Sequence, residues 1–457
     1  LPRNTISQYH IALIAVCAGY LLAPMGLAAV NVAIPPMALE LGASAVKVAW
    51  LPTLYILSNV AFLLPVGKLA DMYGRKRMFV SGLILNTLAA LVCTFTSNID
   101  VILFWRFVQG ISAAMIFSTG IAIVSSIVPD HKRGVALGIV ASCVYFGLTL
   151  APLLGGYLTD IYSWRAVFFF QVPPMLLLIL GIYFFLQGEW KHPFKGQFDW
   201  LGAGIVMCLS VLLVYGLSYL NTPSGQISAV GALILVGVFI RQQAQHPHPL
   251  LRMQLFADNR LFSFSLITSF FMYGSNFALL FLLSLYLQII LGYSPTQAGF
   301  ILMLQALTMA LIAPLAGKLA DRFASRNVAT IGCVGVAVGL VVLNQLDSHS
   351  QASDVGLGLL IIGVGFGLFS TPNNNAIMGA VSKDDVGVAS AAMNLARTVG
   401  NLVGMSLVNV IVVLYIGDAV IDQLVRAELM QTVNAALKLS LAMVLLACVS
   451  SFQRGKQ

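Results

Sequence analysis

The chain has 457 residues, 59% of them hydrophobic and only 9% charged, with a mean hydropathy of +0.93. An ordinary soluble protein carries about 25% charged residues, so a water-soluble enzyme, a disordered chain and a small secreted disulfide scaffold are excluded. The formal net charge is +8, but the basic residues stand in short stretches between apolar runs, which suits a cytoplasmic membrane face and not a nucleic acid.

A helix needs about 20 mostly apolar residues to cross the hydrocarbon core. In chain order such runs fall at 11–33, 48–66, 77–96, 101–126, 135–158, 164–186, 198–218, 226–241, 261–289, 297–316, 328–345, 355–379, 387–416 and 434–452. Continuous apolar stretches such as Phe168 to Leu186 lack the alternation of barrel strands, so the expected class is an all-α polytopic membrane protein of 14 helices. The first run is too long, and followed by too many others, for a cleaved signal peptide. Cys17, Cys93, Cys143, Cys208, Cys333 and Cys448 each lie inside an apolar run and read as small buried hydrophobes, not as a disulfide set or a metal site.

Placing the N-terminus inside puts 18 of the 24 Lys and Arg residues in cytoplasmic segments, with Lys47, Arg165, Arg426 and Lys438 outside and Arg106 and Arg397 in the membrane. The reverse would put Arg75, Lys76 and Arg77, and the pair Lys132 and Arg133, on the wrong side. Both termini are therefore expected in the cytoplasm.

The pentamer GKLAD occurs at 67–71 and again at 317–321, each time after an apolar run and before a basic loop. A duplicated half accounts for both copies. The division expected is a six-helix bundle at 1–190, two linker helices at 191–250 and a second six-helix bundle at 251–457. Two such bundles enclose a path that rocking opens to either side. No P-loop or Rossmann glycine pattern is present, so energy must come from a gradient and no cofactor is called for.

In the first GKLAD loop, Gly67, Lys68, Leu69, Ala70, Asp71, Met72, Tyr73, Gly74, Arg75, Lys76 and Arg77 resemble the G-x-L-a-D-r-x-G-r-k-x signature of the major facilitator superfamily. Across the chain the sequence looks like the fourteen-helix drug:proton antiporter family 2, of multidrug efflux type. Asp71 stands where it can accept from helix-start N–H groups and pair with an arginine such as Arg75. Such a clasp is expected to hold the halves shut on the cytoplasmic side; the plainer alternative makes the basic residues orientation anchors only.

Arg106, Gln109 and Gly110 in the fourth run are similar to the family's R-x-x-q-G segment, whose arginine the resemblance implicates in proton coupling. An arginine inside an apolar run is costly unless it faces protein or water. Arg106 is expected in the outer half, facing the cavity or snorkelling to the interface. In the fifth run Gly147, Pro152, Gly155 and Gly156 look like the superfamily's antiporter signature, with Ala151 in place of a glycine. Small residues let helices touch and the proline permits a bend, which makes either a leak-tight pivot or a packing seam. The segment from Trp164 to Pro173 resembles the family's WR-w-i-F-x-i-N-v-P, with Gln171 for asparagine, and Arg165 there is expected to pair with Asp160. Gly387, Ala389, Ser390, Asn394, Arg397 and Gly400 resemble a further segment of the same branch. Arg397 is either a second buried cation or a side chain that snorkels inward.

Helix one departs from the family. Where drug exporters carry L-D-x-T-I-V-N-V-A-L-P, this chain has Met25 to Pro35 with Gly26 at the aspartate's place. Every acidic residue falls in a loop or at a helix end, so no buried carboxylate is available to hold a proton and a cation. Coupling is left to an acid near a helix end (Glu40, Asp71 or Asp160), to Arg106 with the substrate's own charge, or to simple facilitation. A substrate neutral or anionic at one end is favoured, and an acid restored at position 26 is expected to strengthen cation binding. The polar and aromatic residues that interrupt apolar runs are the candidate lining: Asn31, Tyr55, Asn59, Gln109, Tyr145, Tyr273, Asn276, Gln288, Gln305, Asn373, Asn374 and Asn394. They want protein or water partners and should face inward.

The function expected is secondary active export of lipophilic or amphipathic compounds, proton-coupled, by alternating access. The alternative is a transporter of a specific lipid-like molecule or organic anion, or a facilitator. The partners are a small-molecule substrate, protons and membrane lipids, with no nucleic acid and no metal. The chain is read as a monomer in a bacterial cytoplasmic membrane.

Overall fold

The computed structural model describes residues 3–128, 130–190, 198–247, 249–251, 253–381, 386–417, 419 and 425–454. Among them, 14 helices are long and apolar enough to cross a membrane, and the all-α expectation holds. In chain order the helices are α1 (Arg3–Leu41), α2 (Ala45–Tyr73), α3 (Arg75–Phe95), α4 (Ile99–Ile127), α5 (Asp130–Ile161), α6 (Trp164–Phe169), α7 (Val172–Phe185), α8 (Trp200–Ser218), α9 (Pro223–Gln245), α10 (Gln254–Asp258), α11 (Arg260–Leu285), α12 (Pro295–Arg322), α13 (Ser325–Leu343), α14 (Ala352–Gly379), α15 (Val386–Tyr415) and α16 (Arg426–Phe452). The side chains of Lys132 and Arg133 lie outside the description, as does that of Asp130.

Local chemistry sets the breaks. Ser44 caps α2 by accepting from the Lys47 amide, and Ser294 and Gln297 form a reciprocal capping box at the start of α12, satisfying helix-start donors. Gly74 turns the chain between α2 and α3 at φ 126°, a conformation closed to other residues. The sixth run, expected as one helix, is interrupted: Pro173 and Pro174 lack amide hydrogens, so α6 ends and α7 starts afresh, the two sharing one span. The weakest run, 226–241, lengthens to the whole of α9 because Thr222 caps it, Pro223 starts it and polar residues carry it past the apolar stretch.

An even number of spans puts both ends of the chain on one face, the terminal face; the other is the distal face. Both GKLAD segments lie at terminal-face ends, of α2 and α12. Helices α1 to α7 pack on one another, as do α11 to α16, while α8 pairs with α9 and touches both α2 and α15. The largest buried apolar cluster joins the two sets, bringing Ile34, Met37 and Leu51 together with Phe281, Leu282 and Leu287.

Candidate functional site

Helix backbones come into close contact both within the first set and across the seam between the sets. A Cβ at Gly147 or Gly155 would overlap the carbonyl oxygens of Leu21 or Ala29 on α1, and one at Gly156 would overlap that of Pro295 on α12. From the other side, Gly299 of α12 lies against the carbonyl of Pro152. The fifth-run motif thus works on two fronts: Gly147 and Gly155 close α5 on α1, and Gly156 and Pro152 close α5 on the second set.

Hydrogen bonds between the sets gather toward the distal face. Asn409 Nδ2 donates to Thr53 Oγ1 at 3.0 Å, Ser284 Oγ to the Asn31 carbonyl at 3.0 Å, and Gln288 Nε2 to the Val32 carbonyl at 3.0 Å. Thr296 Oγ1 donates to Asp160 Oδ2 at 2.7 Å, and the Ala45 amide to the Ala419 carbonyl at 2.8 Å. At mid-span the Tyr145 and Ser370 hydroxyls share a hydrogen bond of 2.8 Å. Distal of this link the inner part of the seam is dry, with Asn31 4% exposed, Thr53 0% and Asn409 2%, while Gln288, Thr296 and Asp160 keep surface open at its rim. At its level and toward the terminal face, Tyr145, Tyr273, Asn276, Asn374, Asn394 and Arg397 all keep part of their surface open.

Two arginines lie at different depths beside this seam. Arg106, seven residues into α4 from its distal end, is 1% exposed. Its guanidinium sits 4.7 Å from the Tyr55 ring centre, Nε donates to the Leu51 carbonyl at 3.3 Å, and one terminal nitrogen donates to Gln109 Oε1 at 2.8 Å. The other terminal nitrogen is buried without a partner. Arg106 therefore does not snorkel, and it is packed behind Tyr55 instead of lining open space. Arg397 on α15 lies 4.9 Å from the Tyr273 ring centre and donates to Asn374 Oδ1, with Met393 Sδ at 3.4 Å and a buried, unpartnered Nε. Tyr273 in turn meets the edge of Phe366 at 5.1 Å. Both cations thus rest on aromatic faces and neutral oxygens, and each described acidic residue stands between helices or within a turn of a helix end.

Other candidates divide between structure and seam. Gln305 donates to Asn276 across α12 and α11, while Asn373 bonds Ser269 Oγ at 2.7 Å and stays within the second set. Asn59 is buried on α2, and Asn394 lies one turn before Arg397. Asp71 pairs with Arg75 at 2.7 Å, and Arg75 also donates to the Ala122 carbonyl and to Ser126 of α4. These bonds tie α2, α3 and α4, all in one set, where the sequence suggested a bridge between halves. Arg165 pairs with Glu40 and not with Asp160, because Asp160 is turned across the seam to Thr296.

Position 26 also departs from expectation. A Cβ there would collide with the side-chain amide of Gln171, which is 4% exposed and donates to the Val167 carbonyl at 3.1 Å. Gly26 faces the α6–α7 junction, and the neighbouring Leu27 is the residue that packs against the buried cluster of Tyr55, Val60 and Leu402, which spans both sets. Of the side chains that join the sets, Tyr145, Gln288 and Asp160 stand out in the sequence, whereas Thr53, Ser284, Thr296, Ser370 and Asn409 do not. Small hydroxyls disappear into apolar runs because they can bond their own helix, as Thr53 does to the Ala49 carbonyl at 2.7 Å.

The family model described as Major Facilitator Superfamily matches residues 16–405. The chain belongs to the Major Facilitator Superfamily. It is a multi-pass membrane protein and a secondary active transporter of small molecules, not an enzyme. Among superfamily relatives, the riboflavin transporter RibZ of Clostridioides difficile (strain 630) is 27% identical over 400 residues, covering 87% of each chain. The multidrug resistance protein Stp of Mycobacterium tuberculosis (strain CDC 1551 / Oshkosh) is 27% identical over 406 residues, 87% of this chain and 75% of that one. The superfamily fold is also that of a bacterial homolog of the human lysosomal transporter Spinster, solved inward-facing and unoccupied, with TM-score 0.73, 15% identity, and coverage of 98% and 97%.

Proposed function

We propose that this transporter exports amphipathic or lipophilic compounds by alternating access. In this reading the bundle at 1–190 rocks against that at 251–457, with residues 191–250 as linker. One observation carries it: behind a hydrogen-bonded distal rim the seam is dry at Asn31, Thr53 and Asn409, while its polar and aromatic groups are part-exposed from mid-span toward the terminal face. A path closed at one end and open at the other is what a loading state requires. The excess of Lys and Arg on the terminal face supports cytoplasmic termini, so loading is from the cytoplasm or the inner leaflet. The glycine contacts of Gly147, Gly155 and Gly156 support a rigid pivot, and relatives named for riboflavin and for multidrug resistance favour large, mixed-polarity solutes. Lipids surround a monomer. The test is flux of several unrelated amphipathic dyes from proteoliposomes under imposed gradients; transport of none of them overturns the reading.

A second reading, proton-driven antiport, is favoured by Asp160, whose carboxylate crosses the distal seam to Thr296 at 2.7 Å. Among the described residues it is the one acidic side chain whose hydrogen bond crosses between the two sets. An Asp160→Asn variant that keeps full pH-driven flux rules out this residue as the coupling group.

A further inference from the structure

Arg397 stands on the open side of the seam, stacked on Tyr273, and its only described hydrogen-bond partners are Asn374 and Met393. Its Nε is a buried donor with no acceptor. Within reach of the same space are the Tyr145 and Ser370 hydroxyls, bonded to each other across the two sets at 2.8 Å. A guanidinium held in a membrane without a counter-ion is costly, and the cost falls when an anion arrives. Tyr273 is part-exposed and braced by the buried Phe366 at 5.1 Å, the two rings edge to face, so an aromatic surface stands beside the cation for a ring to pack against.

Arg106 repeats the arrangement at the sealed end: a cation on Tyr55, neutral partners and one buried N–H group left over. The open end thus shows an anion one arginine, and the closed end holds the other.

We propose that the substrate class is aromatic organic anions, bound by Arg397, and that the membrane potential acting on the substrate's own charge drives export. This rests on the transport reading and names its ligand and its energy source. An inside-negative membrane expels anions downhill, and one charge sustains roughly a fifty-fold outward gradient at ordinary potentials. No membrane-embedded carboxylate is then required, which accounts for a transporter whose described acids all stand at or beyond helix ends. The negative charge crosses as substrate, paired first with Arg397 and, once the sets have rocked, with Arg106 in place of its neutral partners.

The experiment uses the full chain in liposomes loaded with lucifer yellow, an aromatic disulfonate that stays ionised at every working pH. A potassium diffusion potential is set with valinomycin, interior negative, at equal pH on both sides. A parallel arm clamps the potential at zero and imposes a pH gradient, and a third replaces the dye with the aromatic cation ethidium. The expected result is dye efflux that follows the potential, stops when its sign is reversed, and is absent under the pH gradient alone. Arg397→Gln should lower dye flux and dye binding in detergent by about tenfold or more, the cost of losing a charged partner, while Arg397→Lys keeps most of both. Preserved binding by Arg397→Lys with loss in a well-folded Arg397→Gln separates charge recognition from misfolding. Dye efflux set by pH and indifferent to potential, or ethidium as the transported probe, overturns this inference and leaves the export reading standing. Movement of neither probe counts against both.

Discussion

Arg106 lies with its guanidinium carbon 4.7 Å from the centre of the Tyr55 ring, on neutral partners alone and 1% exposed. A cation in that setting is strongly held by packing and poorly compensated by charge, so its removal should be felt in function more than in assembly. Arg106→Ala is expected to insert normally and to lose gradient-driven flux by at least about tenfold. Flux at the normal rate in reconstituted Arg106→Ala would remove it from the transport cycle.

The two fronts of α5 are separable by mutation. Gly155→Leu forces α5 off the Ala29 carbonyl within one set and should cost roughly 1–3 kcal/mol, read as a lower unfolding temperature. Gly156→Leu instead pushes on the Pro295 carbonyl across the seam. Its main effect is expected on transport and on the distance between spin labels placed on the two sets. Equal thermal losses in the two variants, with unchanged spacing in Gly156→Leu, would contradict this division.

At position 26 an acid meets Gln171, not substrate. Gly26→Asp is therefore expected to destabilise the protein by about 1–3 kcal/mol through overpacking, and Gln171→Ala in the same chain should recover part of that loss. Binding of cationic dyes should be unchanged across pH. A gain in cation affinity from Gly26→Asp alone would show that this position does communicate with the seam.

Thr296 and Asp160 bridge the sets at the distal face through one hydrogen bond of 2.7 Å. Thr296→Val deletes it, and because the pair is exposed the loss is worth about 1 kcal/mol, roughly a fivefold shift toward the distally open state. Double electron–electron resonance between the distal ends of α5 and α12 reads that shift directly. An unaltered distance distribution would mean the bond contributes nothing to closure.

Much of this was legible before any coordinates. Apolar runs of about 20 residues have one outcome in a bilayer, since every backbone group must be satisfied within its own helix; fourteen runs therefore imply fourteen spans, and two GKLAD segments imply two related halves. The depth of Arg106 follows from counting along α4. What counting cannot supply is direction around each helix and distance across the seam. That Gly26 turns to Gln171, that Asp160 chooses Thr296 over Arg165, and that Asp71 and Arg75 lock α2, α3 and α4 together are decided by how helices are rotated and packed. The same holds for the serines and threonines that join the sets: a hydroxyl satisfied by its own helix leaves no trace in composition, and only a neighbour brought within 3 Å gives it a second role. Hydropathy reports how far a residue lies through the membrane; only packing decides which neighbour it faces.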